Sequence, residues 1–199
     1  MKFIFSFDDY CEENYKLANL LAEFNIKAIF FIDKVDNPIA EGQVRWLDSK
    51  GHELGGHTIN HPVLRLLSME LQRYEIVECK KLIEIAIHKK IEWFAYPKGK
   101  YNETTKELVK KAKYKYARTV DVGYLYNVDN YAIKTTLHIY DRAEYNGKNW
   151  FDYGKYMIEK TKDLKDIDFH IWGHAWEIDK FEYWNKFKEF LTLIKKYET

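Results

Sequence analysis

Four short stretches of the 199-residue chain carry side chains that can do chemistry. They are Ser6-Phe7-Asp8-Asp9, Gly55-Gly56-His57-Thr58-Ile59-Asn60-His61, Tyr96-Pro97-Lys98-Gly99 and Trp172-Gly173-His174. His57 and His61 stand four residues apart, so on a helical turn both imidazoles would face one side and share an ion. Pro62 disfavours helix at His61, which keeps that turn brief. A catalytic zinc site takes three protein ligands and leaves a fourth position to water. One carboxylate of the Asp8-Asp9 pair completes such a set, which suits zinc and also cobalt or nickel. Water on such an ion titrates near about pH 7. The second carboxylate can take that water's proton, because neighbouring carboxylates in different surroundings hold different roles. A backbone N–H in the Tyr96–Gly99 bend can steady a tetrahedral oxyanion, and the His174 imidazole can protonate a leaving group. Together these groups describe hydrolysis of an amide or an ester.

These stretches need a scaffold that gathers them. Apolar runs predict buried strands over Lys2–Phe7, Lys27–Ile32, His52–His57, Ile91–Tyr96, Tyr116–Val120 and Ile167–Trp172, with Tyr131–Tyr140 extended. Between them, Leu17, Leu20, Leu21 and Phe24 recur at helical spacing before Asn25, and Gln43–Lys50 reads as a short helix stopped by Gly51. Ser68 caps a long helix reaching about His88, Thr104–Lys113 and Trp150–Lys162 are helical, and Trp184, Phe187, Leu191 and Ile194 mark a closing helix. Strands alternating with helices imply parallel pairing through right-handed crossovers. Residues 1–199 hold no linker and read as one α/β domain, a single barrel of β/α units, with a doubly wound open sheet as the rival. Each chemical stretch falls at or just after a strand end. In both architectures those ends share one rim, where sites are built.

Composition narrows the partners. Net charge is +1, and the lysines between Lys80 and Lys115 interleave with Glu84, Glu92, Glu103 and Glu107, a pattern of solvated helix faces that argues against nucleic acid. Sixteen Tyr, twelve Phe and six Trp exceed what a core needs, and aromatic faces in a groove suit sugar rings. Cys11 and Cys79 form no metal-type pair, and Cys79 shares a helical face with Ile76, Ile83 and Ala86 as a buried thiol. There is no apolar run long enough for a membrane and no leader pattern, so the chain as written is expected in the cytoplasm unless a leader has been trimmed from a secreted protein.

Ser6-Phe7-Asp8-Asp9, His57-Thr58-Ile59-Asn60-His61, Phe94-Ala95-Tyr96-Pro97-Lys98-Gly99 and Ile171-Trp172-Gly173-His174 resemble, in order, the motifs of the polysaccharide deacetylases, the NodB-homology domain of carbohydrate esterase family four. The resemblance runs from residue 3 to about 178. It implies a distorted (β/α)7 barrel that removes acetyl groups from N-acetylated sugars with a divalent metal, zinc first. It assigns Asp8 as general base, Asp9, His57 and His61 as metal ligands, the Lys98 backbone N–H as oxyanion donor and His174 as general acid. Tyr10, Tyr96, Pro97, Trp172 and Trp176 are the candidate substrate contacts.

Several positions depart from the family pattern. An Arg that pairs with the base is replaced by Ala95, so Arg118 or Arg142 must bring a guanidinium from another loop. Lys98 replaces an aromatic, and Tyr10 stands where glycine is common. The family's Asp-Trp pair has no clean match, Asp121 being the nearest acid. His170 competes with His174 for the role of acid, or is a core histidine like His52. Trp172 and Trp176 either wall an acetyl methyl or cap the barrel, and Glu177 reads as a surface acid. Two alternatives stay beside saccharide de-N-acetylation: a cytosolic deacylase of a small amide such as a nucleotide- or lipid-linked sugar, and a catalytically impaired glycan-binding barrel.

Overall fold

Apolar runs such as Ile29-Phe30-Phe31-Ile32, buried along their whole length, are what a parallel sheet covered on both faces requires. The computed structural model describes residues 1–197. Its strands are β1 (Lys2–Asp8), β2 (Ile29–Ile32), β3 (Glu53–Gly56), β4 (Trp93–Ala95), β5 (Tyr116–Arg118), β6 (Leu137–His138) and β7 (Asp168–His174). All pair in parallel, in the order β5-β4-β3-β2-β1-β7-β6, and curl into a barrel. Strands following one another around a ring, with β7 returning beside β1, match the (β/α)7 expectation and not the doubly wound sheet. The helices are α1 (Glu13–Glu23), α2 (Pro38–Ser49), α3 (Met69–Ile87), α4 (Glu103–Lys111), α5 (Trp150–Thr161), α6 (Ala175–Lys180) and α7 (Trp184–Ile194).

The two sheet faces differ in chemistry. Phe5, Phe7, Phe30, Ile32, Phe94, Phe169 and Ile171 pack outward against helix residues such as Leu17, Leu21, Val44, Ile76, Ile83, Phe187 and Phe190. Burying each such side chain contributes about 2 kcal/mol. Ile29, Phe31 and Ala95 form a separate, smaller cluster on the other face with Ile4 and Trp93. Polar groups share that inner face: Ser6 Oγ meets His170 Nε2 at 2.9 Å, and Arg118 reaches Asp8. Gly55 allows the close approach of β2, since a Cβ there would lie 2.5 Å from the Phe31 ring.

Side chains of Asn37, Ser68, Asn102 and Asn149 cap α2, α3, α4 and α5 by accepting a backbone N–H in the first turn, each worth about 1 kcal/mol. The Asn37 cap and Pro38 at the first position start α2 five residues ahead of the Gln43 expected from apolar spacing. The extended run Tyr131–Tyr140 forms a regular strand only at Leu137–His138. Its earlier half lies along β5: Ile133 N–H donates to Ala117 O and Ile133 O accepts from Thr119 N–H. One segment thus joins the two edge strands and completes the ring. Helix α6, absent from the sequence expectations, begins directly after β7. Cys11 and Cys79 are both free thiols, Cys79 buried and pushed up to about 12 by that burial. Among the described residues no helix is long and apolar enough to cross a membrane.

Candidate active site

Strand register does the gathering. Asp8, the last residue of β1, pairs with Phe31 on one side and with His174, the last residue of β7, on the other. His57 follows β3 directly, and the Pro97 bend follows β4. The four chemical stretches therefore meet at the C-terminal rim.

Asp9 Oδ1 lies 3.7 Å from His57 Nε2 and 3.6 Å from His61 Nε2. These separations are too long for hydrogen bonds, and Asp9 Oδ1 is buried with no hydrogen-bond partner. Two donors on one tetrahedral zinc, each about 2.0–2.1 Å from it, stand about 3.3 Å apart. The spacing and the orphaned oxygen fit a divalent ion gripped by Asp9, His57 and His61. The neighbours orient these groups for it. His57 Nδ1 donates to Ala95 O at 2.8 Å, which leaves Nε2 as the lone pair. Trp176 Nε1 donates to Asp9 Oδ2 at 3.0 Å. Burial first, then His57, lowers the His61 pKa against the pull of Asp9, which favours the neutral form that metal binding requires.

No helical turn brings the two imidazoles together. Residues 57–63 are irregular, with Thr58 at φ 69° and His61 at φ 52°. A β-branched residue at positive φ is strained, and the loop needs an anchor. Glu75 of α3 supplies it: Oε2 accepts from the N–H of Ile59 and Asn60 at 2.8 and 2.9 Å, and Oε1 from Asn60 Nδ2 at 2.7 Å. Sequence reading passed over Glu75, whose only signal is a carboxylate on the apolar face of α3 one residue before Ile76. Asp9 is left-handed too, at φ 71°, with its carbonyl held by Asn14 Nδ2 and the next N–H by Asp33.

Asp8 is 2% exposed and forms a two-oxygen ion pair with Arg118, itself fully buried. Burial pushes the Asp8 carboxyl up, but Arg118, His57 and His174 outweigh it and hold it at about 2. Arg118 answers the question posed by Ala95, for the two are register partners on β5 and β4. The guanidinium arrives from the next strand at the same level. Arg142 instead pairs with Glu144.

His174 Nε2 lies 3.9 Å from Asp9 Oδ2, while its Nδ1 meets Glu177 Oε2 at 2.5 Å. The same oxygen takes His138 Nε2 at 2.9 Å. Glu177 is thus no surface acid: it is 7% exposed, because α6 starts at once after β7 and turns the third residue back onto the rim. Burial pushes Glu177 up, but the two imidazoles hold it at about 2. Burial lowers His174, yet Glu177, Asp8 and Asp9 together raise it above the ordinary histidine value. His138 was not foreseen; a lone histidine in an extended run carries no signal. Asp121 is exposed and pairs with Lys134. His170 sits four residues down the strand against Ser6, and burial brings it to about 3. His52 is likewise buried, its Nδ1 accepting from Ala28 N–H.

The expected substrate contacts divide. Tyr96 is 1% exposed, stacked on Tyr101 at 4.5 Å with its hydroxyl donating to Tyr131 O, and Pro97 is buried beside it. Trp172 is 3% exposed, its ring parallel to His138 at 3.8 Å. These three expected substrate contacts are buried, Tyr96 and Trp172 beneath neighbouring rings, which for Trp172 fits the alternative of capping the barrel. Tyr10 and Trp176 keep partly exposed side chains at the rim. Lys98 is exposed and left-handed at φ 57°, and the turn closes through Gly99 N–H to Tyr96 O. Gly99 has no room for a side chain: a Cβ would lie 2.4 Å from Val120 Cγ2.

A family model described as polysaccharide deacetylase matches residues 2–117. The chain is 31% identical over 125 residues to the putative polysaccharide deacetylase YxkH of Bacillus subtilis (strain 168), a match covering 60% of this chain and 45% of that protein. It spans less than half the length of that relative. Among solved structures, the family 4 carbohydrate esterase from Streptomyces lividans in complex with acetate superposes with a TM-score of 0.65 at 17% identity, covering 96% of this chain and 88% of that one. A CE4 family pseudoenzyme from Bacillus anthracis gives 0.66 at 13% identity, covering 98% and 60%. Both likenesses are of fold.

Proposed function

Since the chain belongs to the polysaccharide deacetylase family, we propose that it is a metal-dependent hydrolase removing N-acetyl groups from an N-acetylated saccharide. The observation that carries this reading is the meeting, on one barrel rim, of an unpartnered carboxylate oxygen with two imidazoles, an Arg-paired aspartate and a Glu-paired histidine. Asp9, His57 and His61 would hold a divalent ion, zinc by ligand preference, which would supply an acidified water and a Lewis acid for the acyl oxygen.

The remaining roles fall to the chain's own groups. Asp8, kept ionised by Arg118 over the whole working range, accepts the proton of the attacking water. The backbone N–H of Lys98, which lies in the left-handed bend, would donate to the oxygen that gains charge. His174, with Nδ1 committed to Glu177, delivers a proton from Nε2 to the leaving nitrogen, which then departs as an amine. Trp176 and Tyr10 flank the acyl group at the open edge. Acetate release from N-acetylated chito-oligosaccharides tests the proposal: a chelator abolishes it and zinc or cobalt restores it. Zinc-loaded protein that frees no acetate from oligomeric, polymeric or monosaccharide N-acetyl substrates would sink it.

A further inference from the structure

His138, His174 and Glu177 cluster tightly enough to suggest a second ion. Their spacing says otherwise. Glu177 Oε2 stands 2.5 Å from His174 Nδ1 and 2.9 Å from His138 Nε2. Two ligands of one tetrahedral ion keep about 3.3 Å between them, so both separations belong to hydrogen bonds. The contrast with Asp9, whose imidazole neighbours stand at 3.6 and 3.7 Å, is clear.

We propose that Glu177, braced by His138, is the positioning residue for His174: its single oxygen Oε2 accepts an N–H from each imidazole and so fixes where His174 Nε2 points. This rests on His174 being the acid of the deacetylation proposed above. One oxygen accepting two charge-assisted bonds cannot rotate without breaking one of them. The His138 ring is itself packed flat on Trp172, 6° between planes. The His174 ring stands edge-on to both, 72° from His138 and 68° from Trp172. With Nδ1 tied down, Nε2 has one direction left, toward Asp9 and Asp8. The brace comes from a helix that begins one residue after His174 and from β6; of these, α6 also touches Asp9 through Trp176 Nε1. Positioning of this kind matters most where a poor leaving group must be protonated in the transition state.

The test varies leaving-group quality. Glu177→Gln removes the charge and keeps the shape, and His138→Phe removes the donor and keeps the ring on Trp172. Zinc-loaded wild type and variants are assayed on an N-acetylated chito-oligosaccharide and on 4-nitrophenyl acetate, whose phenolate departs without a proton. Glu177→Gln is expected to lower kcat on the amide by about 100-fold, at least ten times its effect on the ester, with KM within about three-fold. His138→Phe is expected to give about a ten-fold amide loss with the same bias, and Glu177→Asp an intermediate one. Equal losses on both substrates would show a merely structural role and overturn the proposal. Wild type inactive on every substrate would count against the deacetylase reading alone. In that event the low-field Nδ1 proton of His174, present in wild type and shifted upfield by Glu177→Gln and His138→Phe, reads the brace directly; its indifference to both substitutions overturns the proposal.

Discussion

Arg118 and Trp172 are in cation–π contact, the guanidinium carbon 4.7 Å from the ring centroid. The same indole lies flat against His138 at 3.8 Å. One buried ring therefore touches both the cation that holds Asp8 and the imidazole that steadies Glu177. The Asp8–Arg118 pair and the His138–Glu177 pair thus share a mechanical support.

Removing Arg118 tests the base side. Arg118→Met leaves a buried Asp8 without its counter-charge, a loss of about 3–5 kcal/mol of the kind seen when one partner of a buried pair is deleted. Chemical denaturation should report it, with deacetylation reduced at least 100-fold. Unchanged denaturant midpoint would mean that solvent reaches Asp8.

Metal content tests the ligand set. Asp9→Asn weakens the site's one anionic ligand, so zinc retained after dialysis against a moderate chelator should drop from one equivalent to a small fraction. His170→Gln, remote from the set, should retain the full equivalent. Full retention by Asp9→Asn would remove Asp9 from the ligand list.

Glu75 offers a separate handle on the same ion. Glu75→Ala strips the acceptors from three N–H groups of the ligand loop, costing about 1–3 kcal/mol and freeing Thr58 and His61 to leave their strained backbone. Zinc affinity should fall by 10-fold or more in a protein whose circular dichroism is unchanged. Equal affinity in variant and wild type would show that the loop holds itself.

Acid stability follows from two core histidines. Burial brings His52 to about 4 and His170 to about 3, against about 6.5 when unfolded. Between those values the unfolded chain binds more protons, so their contribution is complete above pH 6.5 and lost as pH falls toward 4 and 3. Asp8 and Glu177, both held at about 2, contribute fully above their unfolded values of about 4 and lose that as pH falls from there through 2. His174, lowered by burial but raised on balance by Glu177, Asp8 and Asp9, acts in the opposite sense above pH 6.5. The denaturant midpoint should therefore begin to fall near pH 6.5, before any carboxylate titrates, and His170→Gln should shallow that decline. A wild-type midpoint flat from 6.5 to 4.5 would contradict it.

Strands and long helices were legible because burial repeats. Ile29–Ile32 admits no polar residue, and Ile76, Cys79 and Ile83 mark one side of α3. The chemical residues were legible for another reason: acids and imidazoles at strand ends have few structural uses. What escaped is what distance along the chain conceals. Arg118 was one of two candidates until register set it beside Ala95. Glu177 looked superficial because nothing in its sequence announced that α6 would start at once and fold it inward. His138 and Glu75 act through contacts 39 and 15 or 16 residues away, and no local pattern carries such information. Tyr96 and Trp172 stood among the candidate substrate contacts because aromatic type was legible and the neighbours that bury them were not.

The place where the ring is completed has a further meaning. β1 and β7 run side by side for seven register pairs, whereas β5 meets the returning segment through one bridge, Arg118 to Ile133. The cation that keeps Asp8 charged is thus mounted on the hoop's shortest weld. Asp9, His57 and His61 instead follow β1 and β3, which are joined to β2 by three and four register pairs. Amide protons of Thr119 and Ile133 should therefore exchange well before those of Phe5 and Phe7.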